Sequence, residues 1–276
     1  MQLVQFGRRV QLFGSLNTPR TFSTPHTAVV LCNPFGEEAL RAHRIYRILA
    51  RNLAQSGVPS LRFDYSASGD SYGESAEASL DAWVDDACEA AEELRRRSKA
   101  TEYVLFGLRL GGTIAALAAS RSAIGRVIQW DPVVDGRAYL QELAASHARY
   151  LESELQKPLG SVSPEMPPRE ALGHPIGQAL AAQLCQLQLG TPQEALHPYN
   201  QAVFAERLKL TVLWTGALTD EAAVYKTTVE GMQRGRWVNI NSTTPWNSDA
   251  ALNRAVVPMD VIDAAVESIA LSPARG

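Results

Sequence analysis

Two apolar patterns alternate along this chain, and the alternation restricts its fold more than any other feature. Residues 28–32 form a continuous apolar run, as strands buried on both faces require. In residues 38–55, Ala42, Ile45, Leu49 and Leu53 recur at helical spacing until Gly57 stops the pattern. The unit then repeats. A strand over 59–63 leads through a turn-rich stretch to a helix that starts near Ser79. That helix carries Asp81 in its first turn and places Trp83, Ala87, Ala91 and Leu94 on one face. A strand at 103–106, a small-residue helix over 111–120 and a strand at 127–130 follow. Such alternation needs parallel crossovers, so it predicts an α/β fold with a mostly parallel central sheet and helices on both faces.

The ends of the chain extend this scheme. Residues 3–16 alternate around Gly7 and Gly14 and read as an antiparallel hairpin; 210–215 and 236–240 add two strands, and 258–271 a closing amphipathic helix. The alternation breaks between Asp135 and about Ala205. Helical stretches there flank a proline-rich segment at 157–168, and Leu180, Leu184, Leu187 and Leu189 require an apolar partner. The expected organisation is therefore a core of 1–135 and 206–276 with a helical cap insertion, 136–205, over the strand ends.

Composition excludes several classes of function. With 276 residues, 46% of them hydrophobic, the chain can bury one full core. Its formal charge of −3 leaves no broad electropositive field for nucleic acid, and the run Arg95-Arg96-Arg97 falls where it favours a helix C-terminal dipole. Cys32, Cys88 and Cys185 are odd in number and match neither a zinc nor a disulfide spacing, which reads as reduced thiols in a cytoplasmic protein. No segment has the apolar length of a signal peptide or of a membrane span. No metal or other cofactor is expected, and the partner expected is a small molecule.

In α/β sheets, ligands bind beyond the carboxyl ends of the strands, so the residues just after each strand carry the functional information. After the strand at 103–106 comes Gly107-Leu-Arg-Leu-Gly-Gly112, directly before the small-residue helix. This has the strand–turn–helix context and the glycines of a G-x-S-x-G nucleophile elbow, with Arg109 at its centre. Gly107 and Gly111 are the elbow positions where a sharp turn excludes side chains.

With Asn33-Pro-Phe-Gly-Glu-Glu38, Leu61-Arg-Phe-Asp-Tyr65, Gly69-Asp-Ser-Tyr-Gly73 and Trp130-Asp-Pro-Val-Val-Asp-Gly136, this elbow makes the chain resemble the α/β-hydrolases. Within them it resembles the exosortase A system-associated hydrolases. The resemblance implies an α/β-hydrolase fold and a setting beside bacterial exopolysaccharide production, and it names no substrate. It would place the triad acid at Asp220 or Glu221, after Leu213-Trp-Thr-Gly216, and the histidine in Asn241-Ser-Thr-Thr-Pro-Trp246, where none is present. Without serine or histidine a conventional serine mechanism is not expected, because guanidinium has no lone pair with which to attack.

The remaining groups leave several readings open. Amides of Leu110 and of Phe35 or Gly36 would survive as an oxyanion hole, and with Arg109 they would hold an acyl, carboxylate or other anionic group, with Glu38 and Trp246 at the same pocket. Any chemistry would fall to Arg109, Glu37, Asp131 or Asp220, whose carboxylates would activate water or move a proton. The opposing reading is a noncatalytic binding or scaffold protein in which Arg109 pairs internally with Glu37, Glu38, Asp131 or Asp220. A third makes Cys32 a nucleophile. Asp135 reads as a helix cap, and His174 and His197 as the histidines able to reach the pocket from above.

Overall fold

The computed structural model describes residues 1–20, 24–155, 168–190, 208–242 and 256–270. An eight-stranded sheet is built from β1 (Gln2–Phe6), β2 (Leu12–Asn17), β3 (Thr27–Cys32), β4 (Ser60–Phe63), β5 (Glu102–Leu108), β6 (Arg126–Trp130), β9 (Lys209–Trp214) and β10 (Gly235–Asn239), in the order β1-β2-β4-β3-β5-β6-β9-β10. The β1–β2 and β2–β4 pairs are antiparallel, and every later pair is parallel. The helices are α1 (Glu37–Gln55), α2 (Leu80–Ser98), α3 (Leu110–Arg121), α4 (Gly136–Leu155), α5 (Gln178–Gln186), α6 (Asp220–Gly231) and α7 (Met259–Ala270), and a short hairpin joins β7 (Glu170–Ala171) to β8 (His174–Pro175).

The unbroken apolar run of β3 has its reason in two separate cores. Ala28, Val30 and Cys32 enter the core shared with α2 and α3, while Val29 and Leu31 enter the one shared with α1 and α7. A strand covered on both sides has no polar face to display. The helices therefore lie on both faces, as the alternation predicts. Ser79 caps α2 by accepting a hydrogen bond from the Ala82 amide at 3.2 Å, a device worth about 1 kcal/mol. Asp135 does the same for α4, accepting from the Ala138 amide at 2.8 Å.

Two local differences from the sequence reading have plain causes. β5 runs on through Gly107 and Leu108, because Gly107 pairs with Cys32 and Leu108 with Trp130 before the turn. The strand thus carries the elbow to the rim of the sheet. The arginines at the end of α2 are also more than dipole partners. Arg95 pairs with Glu92 at 2.5 Å, and Arg96 and Arg97 both pair with the buried Glu93.

Between Asp135 and Leu208 the described residues form α4, α5 and the hairpin. Leu180, Leu184, Leu187 and Leu189 are buried in one cluster with Val133, Val134, Tyr139 and Leu140. Gly136 has no room for a side chain, since a Cβ there would stand 2.0 Å from the Leu184 carbonyl oxygen. That contact brings the start of α4 close to α5 and beside the rim. Among the described residues no helix is long and apolar enough to cross a membrane.

Candidate functional site

The elbow backbone accepts only certain residues. A Cβ on Gly107 would lie 2.1 Å from the Gly111 carbonyl oxygen, and one on Gly111 would lie 2.2 Å from that of Cys32. Between them Arg109 takes φ 53° and ψ −126°, a conformation costing about 1–3 kcal/mol for a residue with a side chain. The end of β6 and the first turn of α3 hold it there. The Arg109 amide donates to the Trp130 carbonyl at 2.9 Å, and the Arg109 carbonyl accepts from Gly112 at 2.9 Å.

Among the described residues three groups meet the Arg109 side chain. Its Nε donates to Glu38 Oε1 at 2.7 Å, its Nη2 donates to Glu142 Oε2 at 2.5 Å, and its guanidinium carbon lies 5.4 Å from the centre of the Tyr139 ring. The Tyr139 hydroxyl donates to Glu38 Oε2 at 2.8 Å, so both oxygens of that carboxylate are engaged. Burial works against the Arg109 charge, yet Glu38 and Glu142 outweigh it and hold the guanidinium protonated. Burial likewise pushes the Glu38 carboxyl above its ordinary range, and Arg109 and Tyr139 offset only part of that rise.

Beside this cluster lies a cleft of about 520 Å³ lined by Arg109, Asp131, Tyr139, Glu142, Thr215 and Glu221, among others. Asp131 follows β6 with φ 42° and accepts from the Thr215 amide at 2.7 Å and from the Thr215 hydroxyl. Burial raises its carboxyl above the usual value, and the Thr215 bonds partly offset that. Among the described residues four carboxylates, Asp131, Asp135, Glu142 and Glu221, line the cleft against the single cation Arg109.

The other residues singled out from the sequence have different surroundings. Glu37 pairs with Arg41 at 3.3 Å, one turn along α1. Asp220 is exposed in the first turn of α6 and does not line the cleft, whereas its neighbour Glu221 does. Trp246 and His197 lie outside the described residues. Phe35 and Gly36 shape the loop between β3 and α1: Phe35 packs on Trp83 at 5.7 Å and on His174 at 6.3 Å, and Gly36 has φ 60°. Leu110 is fully buried, and among the described residues neither its amide nor that of Phe35 donates to a backbone carbonyl.

His174 therefore stands over the loop between β3 and α1, lining another cavity of about 630 Å³ with Phe35 and Trp83. Cys32 is a poor nucleophile, since burial pushes its thiol up to about 12 and leaves little thiolate. Two serines of the loop before α2 are held by local hydrogen bonds. Ser66 donates to Asp86 at 2.6 Å, and Ser71 donates to the Asp64 carbonyl at 2.6 Å.

Sequence reasoning missed Tyr139, Glu142 and Thr215. A signal existed for the first two: they are three residues apart on a helix whose cap, Asp135, is readable, and that spacing places them on one face. Nothing local marks Thr215.

Residues 23–190 match the family described as serine aminopeptidase, S33. The chain belongs to this family. Est1E from Butyrivibrio proteoclasticus, solved with ferulic acid bound, superposes with a TM-score of 0.61 at 17% identity, over 97% of this chain and 100% of that one. A putative hydrolase from Agrobacterium vitis S4 gives 0.57 at 17% identity over 97% and 98%. An esterase from Pyrobaculum calidifontis gives 0.57 at 19% over 98% and 82%. At such identities the likeness establishes the α/β-hydrolase fold and leaves the chemistry to the site. No curated protein sequence matches the chain.

Proposed function

We propose that this chain is a family member without serine hydrolase activity, a small-molecule-binding protein in which Arg109 ties the elbow to α1 and α4. The observation that carries this reading is the neutralisation of Arg109 by Glu38 and Glu142. A carboxylate ligand would have to compete with two carboxylates already on the guanidinium, and displacing Glu38 would strand it in a buried position. With acids outnumbering Arg109 around the cleft, electrostatics favour a neutral or cationic ligand there. The serine route also lacks its parts, because Arg109 occupies the nucleophile position and β10 is followed by Asn241 and Ser242 in place of a histidine. The motif set shared with exosortase A system-associated hydrolases supports a place beside bacterial exopolysaccharide production.

The test has two arms. Fluorophosphonate probes should leave the protein unlabelled, and Arg109→Ser should hydrolyse short-chain aryl esters no faster than background, since the parts of a triad act as a unit. Stoichiometric labelling, or turnover by that variant, would overturn the reading. In melting experiments with monocarboxylates, neutral compounds and amines, stabilisation should come from the last two classes. A carboxylate response abolished by Arg109→Ala would instead establish an anion clamp.

A further inference from the structure

At the opposite end of the strands, cations stand side by side. Arg126 opens β6 and lies in register with Lys209, the first residue of β9. Leu210 is in register with Gly235 of β10, which puts Arg234 beside Lys209 one strand further out. Neighbouring strands are about 4.8 Å apart, so the three cations form one row. Like charges facing each other across adjacent strands destabilise a sheet. Glu102 relieves only the first of them, accepting from Arg126 Nη1 at 2.8 Å, while Arg126 Nη2 donates to the Ser268 carbonyl. Lys209 and Arg234 have no ion-pair partner among the described residues.

The row lines a concavity of about 910 Å³ that also contains Arg95, Thr101 and Tyr103. Arg95 is already committed, paired with Glu92 at 2.5 Å and placed 5.2 Å from the Tyr103 ring centre. Among the described residues, Arg95, Arg126, Lys209 and Arg234 set against Glu92 and Glu102 leave two positive charges in one hollow of a chain whose formal charge is −3. The volume lies in the range of small-molecule sites, roughly 300–1,000 Å³. Two surplus cations about one strand spacing apart suit a compact, multiply charged oxyanion, the ammonium as a point charge and the guanidinium as a fork. A long polyanion would meet the negative remainder of the surface.

We propose that this hollow is a second ligand site, binding a small molecule through a multiply charged phosphate group, with Lys209 and Arg234 as its principal contacts. It is independent of the elbow. The seven residues of β5 separate the two ends of the sheet by about 20 Å.

The experiment compares wild type with Lys209→Ala/Arg234→Ala in melting and calorimetric titrations, using chloride, phosphate, pyrophosphate and tripolyphosphate at matched ionic strength. The wild-type Tm should rise with concentration in the order phosphate, pyrophosphate, tripolyphosphate, with chloride flat. The double variant should bind pyrophosphate at least tenfold more weakly. Without phosphates it should melt at or above the wild type, because the repulsion in the row has been relieved. Arg234→Gln, a single change at an exposed position, should weaken pyrophosphate several-fold, and Arg109→Ala should leave pyrophosphate affinity intact. Equal responses in wild type and double variant, a response that follows ionic strength alone, unchanged affinity in Arg234→Gln, or a double variant that melts below wild type without phosphates would each overturn the proposal.

Discussion

At the carboxyl end of the sheet Arg109 meets two carboxylates and a tyrosine ring, whereas at the amino end Lys209 and Arg234 stand beside a third cation without a carboxylate of their own among the described residues. The first end is where this fold places its chemistry, and the presence of an arginine there invites an anion-binding reading. Geometry reverses the inference. A cation argues for an anionic ligand only after its internal partners have been counted, and on that count the amino end is the better candidate.

The largest effect that sharpens this contrast concerns the backbone. Gly111→Ala places a methyl group 2.2 Å from the Cys32 carbonyl oxygen and 2.5 Å from that of Asn33, so urea unfolding should show a loss of more than about 4 kcal/mol or no folded protein at all. A mild loss would mean the carboxyl end is less tightly determined than its contacts require. Next in size is Arg109→Ala, which keeps the strained backbone but leaves Glu38 buried without its cation. It should cost about 3–5 kcal/mol, and Arg109→Met/Glu38→Gln should recover most of that. If Arg109→Ala unfolds at the wild-type urea midpoint, the tie is absent and the contrast between the two ends collapses. The smallest effect is that of Glu142→Gln. This carboxylate is half exposed, so solvent screens its pair with Arg109, and the loss should stay below about 1 kcal/mol and shrink further in high salt. A loss as large as that of Arg109→Ala would make Glu142, not Glu38, the main partner.

Much of this architecture is legible in the amino-acid sequence. The strands and helices from β3 to β6 follow from apolar periodicity, and the elbow follows from two glycines flanking one residue between a strand and a helix. The arginine in the serine's place and the absence of a histidine after residue 197 are also plain in the sequence. The environment of that arginine was harder. Four acids were in view as partners, and the structure brings Glu38 to it while Glu37 turns to Arg41 and Asp220 faces solvent. Adjacent helical residues point about 100° apart, so the choice between Glu37 and Glu38, or between Asp220 and Glu221, rests on how each helix is rotated against the sheet.

The same division holds for the second site. That strands begin near residues 209 and 235 is a local matter, read from apolar periodicity over a few residues. That Arg126, Lys209 and Arg234 become neighbours depends on the strand order β6-β9-β10 and on the register within it. Tyr139 and Glu142 reach Arg109 only because α4 is seated against the rim by the close contact at Gly136 and by the leucines of α5 and the stretch after it. Periodicity, turn glycines and caps act along the chain and can be read from it. Neutralisation of a charge acts through space between distant segments, and it took the packed fold to assign a partner to Arg109 and none among the described residues to Lys209.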